Sequence, residues 1–323
     1  MRSINNGCRW VAQIRITILL AVSFLASCTA VQPNQAEPWQ SQLYADHVLV
    51  GRIWDSRGDQ FIAPDELLSR LEGVSYLLLG EKHDNPDHHR LQQRSLDHVL
   101  AEGDVATVAF EMMSSEQQPL LQDLPSLRTD NLEQINEFLN WDNDGWNWDY
   151  YGPLLGSALA AGVSINAANI SNEEMMQVYG APTPAEIAGI LDEQTMTALE
   201  KDIDESHCGM LPESQFPAMV RVQQARDFAM AASLTGEPSG RQKVLIAGNY
   251  HIRRDLGVPN YLLHNLPNLN ESQIVSLAFM EVAEASDDPA DYLQQFGNVK
   301  AYDYIWFTPA VSDEDYCASM RQQ

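Results

Sequence analysis

Short apolar stretches alternate with helix-like stretches along most of this chain, and the alternation limits the fold more than any other sequence feature. The apolar stretches carry very few charges, so each strand is expected to be buried on both faces. The predicted strands are residues 76–81, 107–113, 163–170, 243–247, 274–282 and 302–307. The pattern predicts an α/β fold, a single domain whose mostly parallel central sheet is covered by helices on both faces.

A hairpin is predicted ahead of the first of these strands. Residues 48–62 read VLVGRIWDSRGDQFI, which places two apolar runs around a Ser-Arg-Gly-Asp turn. Helices are predicted over 64–72, 87–100, 132–139 and 153–161, with a longer helical region over about 184–234 that is interrupted at 208–212. No linker-like segment divides this part of the chain, so residues 46–323 are predicted to form one α/β domain.

The first residues have the pattern of an export signal. A basic leader without acidic residues precedes an apolar run at 16–24, which is too short to span ~30 Å of hydrocarbon as a helix. Leu25-Ala26-Ser27-Cys28 then resembles a bacterial lipobox, in which the cysteine is lipidated. Residues 1–27 are therefore predicted to be a lipoprotein signal peptide, Cys28 the lipidated residue and 28–45 a tether, with an ordinary signal peptide as the alternative. The protein is expected to be anchored in the cell envelope, at the outer membrane.

The charge balance excludes one class of partner. The chain has 45 acidic residues against 19 Lys and Arg, which gives a formal net charge of −26. Contacts with phosphate backbones require a high density of basic side chains. No nucleic-acid partner is therefore expected.

Two predicted strands end in the same G-x-x-H motif, at 80–83 (GEKH) and 248–251 (GNYH). In open parallel sheets, ligands bind beyond the carboxyl ends of the strands. Glu111 stands at a comparable position in a third strand. The motifs therefore predict a shared site containing His83, His251 and Glu111. The alternative is that the two histidines only tie loops together by hydrogen bonds. At least one of the nearby His88 and His89 is expected to be a solvated surface residue.

These motifs and their surroundings resemble the ChaN-like haem-binding lipoproteins of the Tiki superfamily. The matching segments, in chain order, are GRIWDSRGDQFIAPDELLSRL, LLLGEKHDNPDHHRLQ, VAFEMM, WNWDYYGPLL, INAANI, SHCGMLP, QQARDFAMA and AGNYHIRRDLGVPNYL. The resemblance implies an α/β fold, a lipid anchor, haem binding, self-association as a homodimer and a role in iron uptake, with an outer-membrane haem receptor as a possible partner. Tyr250 is a departure, because glycine is expected there in this family.

Haem binding would require an apolar pocket, an axial ligand for the iron and cations for the two propionates. Tyrosine, histidine and methionine can ligate haem iron, and the absence of a C-x-x-C-H motif excludes covalent attachment of the c type. The candidate haem-binding residues are His83, His251, Tyr151, Tyr179 and Tyr250, with Lys82 and Arg253 favoured for the propionates. Arg226 is another candidate cation, although it could pair with its neighbour Asp227.

Hydrolysis is the competing function. A divalent metal ion held by Glu81, His83, Glu111 and His251 could activate a water molecule. The wider superfamily that the chain resembles includes metal-dependent hydrolases with the G-x-x-H pair. The residue chemistry alone favours metal or acid–base work, whereas the resemblance favours haem, so both functions stay open.

Two cysteines remain once the leader and Cys28 are set aside. Exported proteins meet oxidising conditions, in which an even pair of cysteines tends to form a disulfide. A Cys208–Cys317 disulfide is therefore predicted, and the alternative is two buried free thiols.

Overall fold

The computed structural model of the protein describes residues 38–235, 240–293 and 296–320. The strands are β1 (Ile53–Asp55), β2 (Gln60–Ile62), β3 (Tyr76–Glu81), β4 (Val105–Ser114), β5 (Ser164–Asn169), β6 (Gln242–Gly248), β7 (Ile274–Glu281) and β8 (Tyr304–Thr308). The helices are α1 (Pro64–Leu71), α2 (Pro86–Ala101), α3 (Gln118–Asp123), α4 (Leu132–Leu139), α5 (Trp148–Ala160), α6 (Asn172–Gly180), α7 (Glu193–Ser206), α8 (Phe216–Ser233), α9 (Val258–Asn265) and α10 (Tyr316–Met320).

The strands form one 8-stranded sheet in the order β2-β1-β8-β7-β3-β6-β4-β5. All neighbours from β8 to β5 are parallel. Strand β1 is antiparallel to both β2 and β8, so the predicted hairpin forms one edge of the sheet. The predicted α/β class, the mostly parallel sheet and the hairpin are confirmed.

The two faces of the sheet bury separate sets of apolar side chains. Alternate residues of a strand point to opposite faces, and Leu77 and Leu79 of β3 accordingly pack in the core that includes α1, α2 and α5. Leu78 lies in the opposite core, together with residues of α7, α8 and α9. All six residues of β3 are buried. Helices therefore cover both faces, as the continuous apolar strands predict.

The helix boundaries differ from prediction around the middle of the chain. Helix α6 was not expected, although Ser171 and Glu174 form a capping box at its start, which is a readable sequence signal. Helix α7 begins at Glu193 rather than near residue 184. These differences matter because α6 and α7 border the site described below.

The segment before the hairpin is held against the domain. The backbone amides of Gln40 and Ser41 donate to the Asp87 carboxylate, at 3.1 and 2.8 Å, and Leu43 forms a backbone bridge with Ala310. The predicted signal peptide, the lipidated Cys28 and the tether up to residue 37 lie outside the described residues, and the domain boundary at residue 46 stays a prediction. No described helix is long and apolar enough to cross a membrane.

A disulfide ties the end of α7 to the last helix. The structure joins Cys208 and Cys317, whose Cα atoms lie 5.3 Å apart although the residues are 109 positions apart in sequence. Cys208 directly follows His207, the C-cap residue of α7. The bridge therefore links the C-terminal end of α7, which borders the site described below, to α10.

Candidate functional site

Parallel pairing brings the two G-x-x-H motifs together. Strands β3 and β6 are neighbours, and their register places Glu81 opposite Gly248. Strand β4, which carries Glu111, lies on the other side of β6. The carboxyl ends of all three strands therefore meet at one edge of the sheet.

The glycine of each motif accommodates a side chain of the other motif or its flank. A Cβ atom on Gly80 would lie only 2.6 Å from Ile252 Cδ1 and would also clash with the Asn249 side chain. A Cβ atom on Gly248 would lie 3.1 Å from Cε1 of the His83 ring. The absence of a side chain at both positions is what lets the two motifs pack against each other.

The first motif holds its histidine on a single buried carboxylate. His83 Nδ1 is hydrogen-bonded to Glu81, and the Tyr151 hydroxyl donates to the same carboxylate at 3.1 Å. The His83 side chain is 44% exposed, whereas the Glu81 side chain is fully buried. Burial lowers the pKa of His83, but the hydrogen bond and charge of Glu81 outweigh it and raise that pKa above its ordinary value. His83 Nε2 bonds to no other described residue, so this nitrogen is available to a ligand.

The second motif holds its histidine between two carboxylates. His251 Nδ1 lies 2.6 Å from Asp227 Oδ1, and Nε2 lies 3.2 Å from Glu111 Oε1. The Gly248 amide donates to the other oxygen of Glu111 at 2.7 Å. Burial disfavours the imidazolium, but the charges of Glu111 and Asp227 prevail and raise the pKa of His251 to about 10. Burial likewise opposes ionisation of Glu111, yet the His251 charge lowers its pKa to about 2.

These groups form two histidine–carboxylate pairs rather than a metal site. No group of three or more His, Cys, Asp or Glu side chains within the described ranges could hold a metal ion. His251 is bonded at both ring nitrogens, to Asp227 and Glu111, so it has no free lone pair for a metal, and of the two motif histidines only His83 keeps a nitrogen that no described residue engages. The structure gives no support to the predicted metal centre.

A cavity of about 860 Å³ opens beyond these strand ends. The motifs form one side of it, and α6, α7 and α8 supply an apolar wall. The lining residues that the argument uses are His83, His251, Tyr179, Tyr250, Met175, Met176, Met219, Val222, His207 and Arg226. The volume lies within the range of roughly 300–1,000 Å³ that is typical of small-molecule sites.

Five of the predicted haem-binding residues line this cavity: His83, His251, Tyr179, Tyr250 and Lys82. Two others lie elsewhere. Tyr151 is 1% exposed, and its hydroxyl bonds Glu81, so it supports the first motif and does not line the cavity. Arg253 is buried in ion pairs with Asp255 and Asp202, both at 2.8 Å, and so is already neutralised by carboxylates of the chain itself.

His207 is not among the predicted site residues, although it lies in the stretch SHCGMLP that resembles the family. His207 lines the cavity, and its Nδ1 lies 2.7 Å from the Ile203 carbonyl oxygen. A carbonyl only accepts, so Nδ1 carries the proton and Nε2 is left with a lone pair that no described residue uses. Histidines that ligate metals are commonly held in this way. The adjacent Cys208 is the only signal that marked this position.

The expectation that at least one of His88 and His89 is solvated is wrong. His88 and His89 are both buried, at 0% and 3% exposure, so neither is a solvated surface residue. His88 accepts from the Lys82 amide at 2.9 Å, and His89 stacks on Tyr150 with ring centroids 4.6 Å apart. Both therefore support the loop that carries His83.

Comparison with known proteins agrees with this architecture. A family described as haem-binding uptake, Tiki superfamily, ChaN matches residues 67–262. The chain belongs to this family. The match covers β3 to β6 and so includes both G-x-x-H motifs, Glu111 and the helices of the cavity wall. No curated protein matches the chain.

Solved structures resemble this chain to different degrees. ChaN of Campylobacter jejuni, whose structure is described as showing cofacial haem binding, is 24% identical with a TM-score of 0.65, over 79% of this chain and 95% of that one. An erythromycin esterase, EreC, is 14% identical with a TM-score of 0.40, over 67% of this chain and 72% of that one. The toxin effector domain RRSP of Vibrio vulnificus is 18% identical with a TM-score of 0.37, over 61% and 34%. The ChaN match supports the fold of this chain.

Proposed function

We propose that this ChaN-family chain is a lipid-anchored protein that binds haem non-covalently in the 860 Å³ cavity and takes part in haem or iron uptake at the cell envelope. The observation that carries the proposal is the composition of the cavity. An apolar wall faces the two motifs, of which the first offers the free Nε2 of His83, and phenols and a cation line the same cavity. Haem has the complementary features: apolar faces, an iron that needs a ligand, and anionic propionates.

The residues of the wall fit such a ligand. Met175, Met176 and Met219 supply flexible, polarisable side chains, which adapt to a flat apolar surface. Met176 is 62% exposed, an unusual position for a large apolar side chain without a partner. When bound, haem would supply iron for transfer or storage, and the chain's own part is to bind it, orient it and exclude water.

Tyr179 is the axial ligand that we favour. Its side chain lines the cavity, and its hydroxyl has no hydrogen-bond partner among the described residues. Tyr250 also lines the cavity, but its hydroxyl lies 3.4 Å from Asp202 Oδ2. Burial and then the Asp202 charge raise the pKa of Tyr250 well above its ordinary value, which disfavours the phenolate that would bind ferric iron. His83 and His207 present free Nε2 atoms to the same space.

Haemin titration tests this proposal. The wild type is expected to give a high-spin ferric spectrum distinct from free haemin. Tyr179→Phe should lose that spectrum, whereas Tyr250→Phe and the buried control Tyr151→Phe should keep it. A wild-type spectrum identical to that of free haemin would overturn the function, and loss only in Tyr250→Phe would reassign the ligand.

The anchor and the partners rest on the sequence. Leu25-Ala26-Ser27-Cys28 supports lipidation of Cys28, and multiple acyl chains hold a protein stably in a membrane. We expect the protein in the membrane fraction and Cys28→Ser in the soluble one. The exposed Met176 supports pairing of two copies as a homodimer, which sedimentation with and without haemin would measure. An outer-membrane receptor that delivers haem is the further partner we propose.

Hydrolysis without a metal is the second candidate function. One observation favours it: the Nδ1 of His83 is held by buried Glu81, which leaves Nε2 beside Gly248 at the cavity to accept a proton from water. Metal-free protein should then cleave an activated ester, and His83→Gln should lose at least about 100-fold in rate. Cleavage at the rate of buffer alone would remove this candidate.

A further inference from the structure

Arg226 stands out in the cavity wall because its guanidinium has no anionic partner within the described residues. The contact that the structure gives it is from Nη2 to Met175 Sδ, at 3.5 Å. Its Nε is buried and has no hydrogen-bond partner. The neighbouring Asp227, which the sequence offered as an ion-pair partner, is instead bonded to His251.

The other cations around the cavity are already occupied. Lys82 pairs with Asp84 and lies 3.6 Å from Glu281. Arg221, on the same helix as Arg226, donates to the Val178 and Tyr179 carbonyls. Lys82 and Arg221 therefore make contacts within the protein, whereas Arg226 has N–H donors without an acceptor among the described residues.

A buried donor without an acceptor is costly, so such groups are uncommon in native structures. A guanidinium has five N–H donors in a fixed plane that matches the two oxygens of a carboxylate. Polar and charged residues also line the cavity, but most of its surface is apolar, with methionines and the aliphatic Ile203 and Val222 among the lining residues. In such surroundings a charged hydrogen bond is weakened less by solvent than at an open surface.

We propose that Arg226 is the carboxylate-binding residue of the cavity, and that it makes the site selective for flat apolar ligands that carry a carboxylate. The inference rests on the proposed function, because in haem the carboxylate is a propionate. The new element is that Arg226 recognises the carboxylate at the edge of the ligand, whether or not the ligand contains iron. The site should therefore also bind iron-free protoporphyrin IX.

The test pairs a protein change with a ligand change. Haemin, haemin dimethyl ester and protoporphyrin IX are titrated into the full-length wild type, Arg226→Gln, Arg226→Lys and the control Arg221→Gln. Loss of one charged hydrogen-bonded contact typically weakens binding by about 10- to 100-fold. Arg226→Gln should lose this factor for haemin and protoporphyrin IX, and less than about 3-fold for the dimethyl ester. Arg226→Lys should recover part of the loss.

Each other outcome has a definite meaning. Equal weakening of acid and ester by Arg226→Gln, the pattern expected of Arg221→Gln, would mean a structural role and overturn the inference. No weakening of either ligand would overturn it as well. In both cases wild-type haemin binding would leave the proposed function intact. A wild type that binds none of the three ligands would overturn the proposed function and the inference together.

The stability of the ligand-free protein supplies an independent readout. Arg226 gives up no ion pair on substitution, so Arg226→Gln should unfold within about 2 °C of the wild type or above it. Arg221→Gln loses its bonds to α6 carbonyls and should unfold at a lower temperature. A drop for Arg226→Gln as large as that for Arg221→Gln would contradict a binding role.

Discussion

The two G-x-x-H motifs have the same spacing and both lie at the carboxyl ends of neighbouring parallel strands, yet their histidines have different environments. The His83 side chain is 44% exposed and pairs with one carboxylate, whereas that of His251 is 9% exposed and lies between two. The motif thus determines the position of the imidazole, and the neighbouring elements determine its exposure and its hydrogen-bond partners. His251 stabilises the site from within, and His83 keeps one nitrogen for a ligand.

The largest effect that would expose this difference is on stability. His251→Ala leaves Glu111 and Asp227 buried without their shared cation, which should lower the free energy of unfolding by about 3–5 kcal/mol. His83→Ala should cost only about 1–2 kcal/mol, because Tyr151 still donates to Glu81. Denaturant unfolding of both variants measures the contrast. Equal losses would show that the two histidines contribute equally to stability.

The pH dependence of stability should separate the motifs next. The pKa of His251 is about 10 in the folded protein against an ordinary value of 6.5. A raised folded-state pKa contributes stability that is complete below about pH 6.5 and is lost as the pH rises towards 10, by about 2–4 kcal/mol. Urea unfolding from pH 6.5 to 10 should show this decline. His251→Gln should flatten the curve and His83→Gln should preserve most of it; an unchanged slope in His251→Gln would refute the assignment.

The two glycines should respond unequally to an added methyl group. Gly80→Ala forces a Cβ against Ile252 and Asn249, which lie packed at the sheet end, and should cost about 1–3 kcal/mol. Gly248→Ala meets the half-exposed His83 ring at 3.1 Å, which can shift towards the cavity, and should cost less. Thermal unfolding compares them. A larger loss for Gly248→Ala would mean that His83 is held as firmly as His251.

The smallest effect concerns the support of the first motif. Tyr151→Phe removes the hydroxyl that donates to Glu81 at 3.1 Å and should cost about 1 kcal/mol. The His251 motif should be untouched, so the pH dependence above should persist. Chemical denaturation at pH 7 and pH 10 measures both quantities. Loss of the pH slope in this variant would show that the two motifs are coupled.

The sequence predicted the sheet well because its signal is local. Strand β3 was predicted with its observed bounds, Tyr76–Glu81, since a continuous apolar run can be read without knowing its neighbours. The spatial order of the strands was not predictable in this way, because pairing joins segments far apart in the chain. Helix α6 was missed although its capping box is local, since its moderately polar sequence lacks a clear apolar stripe.

The site was predicted in part for the same reason. The motif residues follow strand ends and could be placed at one edge of the sheet. Arg226 and Asp227 show what could not be placed. They are consecutive on α8, but one faces the cavity and the other bonds His251, and only the rotation of the packed helix decides which is which. For Arg253, nothing in the sequence revealed that Asp202 and Asp255 would neutralise it.

The pairing of β6 with both β3 and β4 has a consequence for how the chain acquires its site during synthesis. Glu111 and the Gly248 amide that it binds are 137 residues apart. Such pairings form slowly, because the entropy of closing a long loop is lost before the contacts that stabilise it have formed. A ribosome that has made β3 and β4 has produced His83 and Glu111 but not the strand that lies between them. Chains stalled or truncated at that point therefore carry the first pair, Glu81 and His83, but only Glu111 of the second group, and no cavity. Binding activity would thus report a finished molecule.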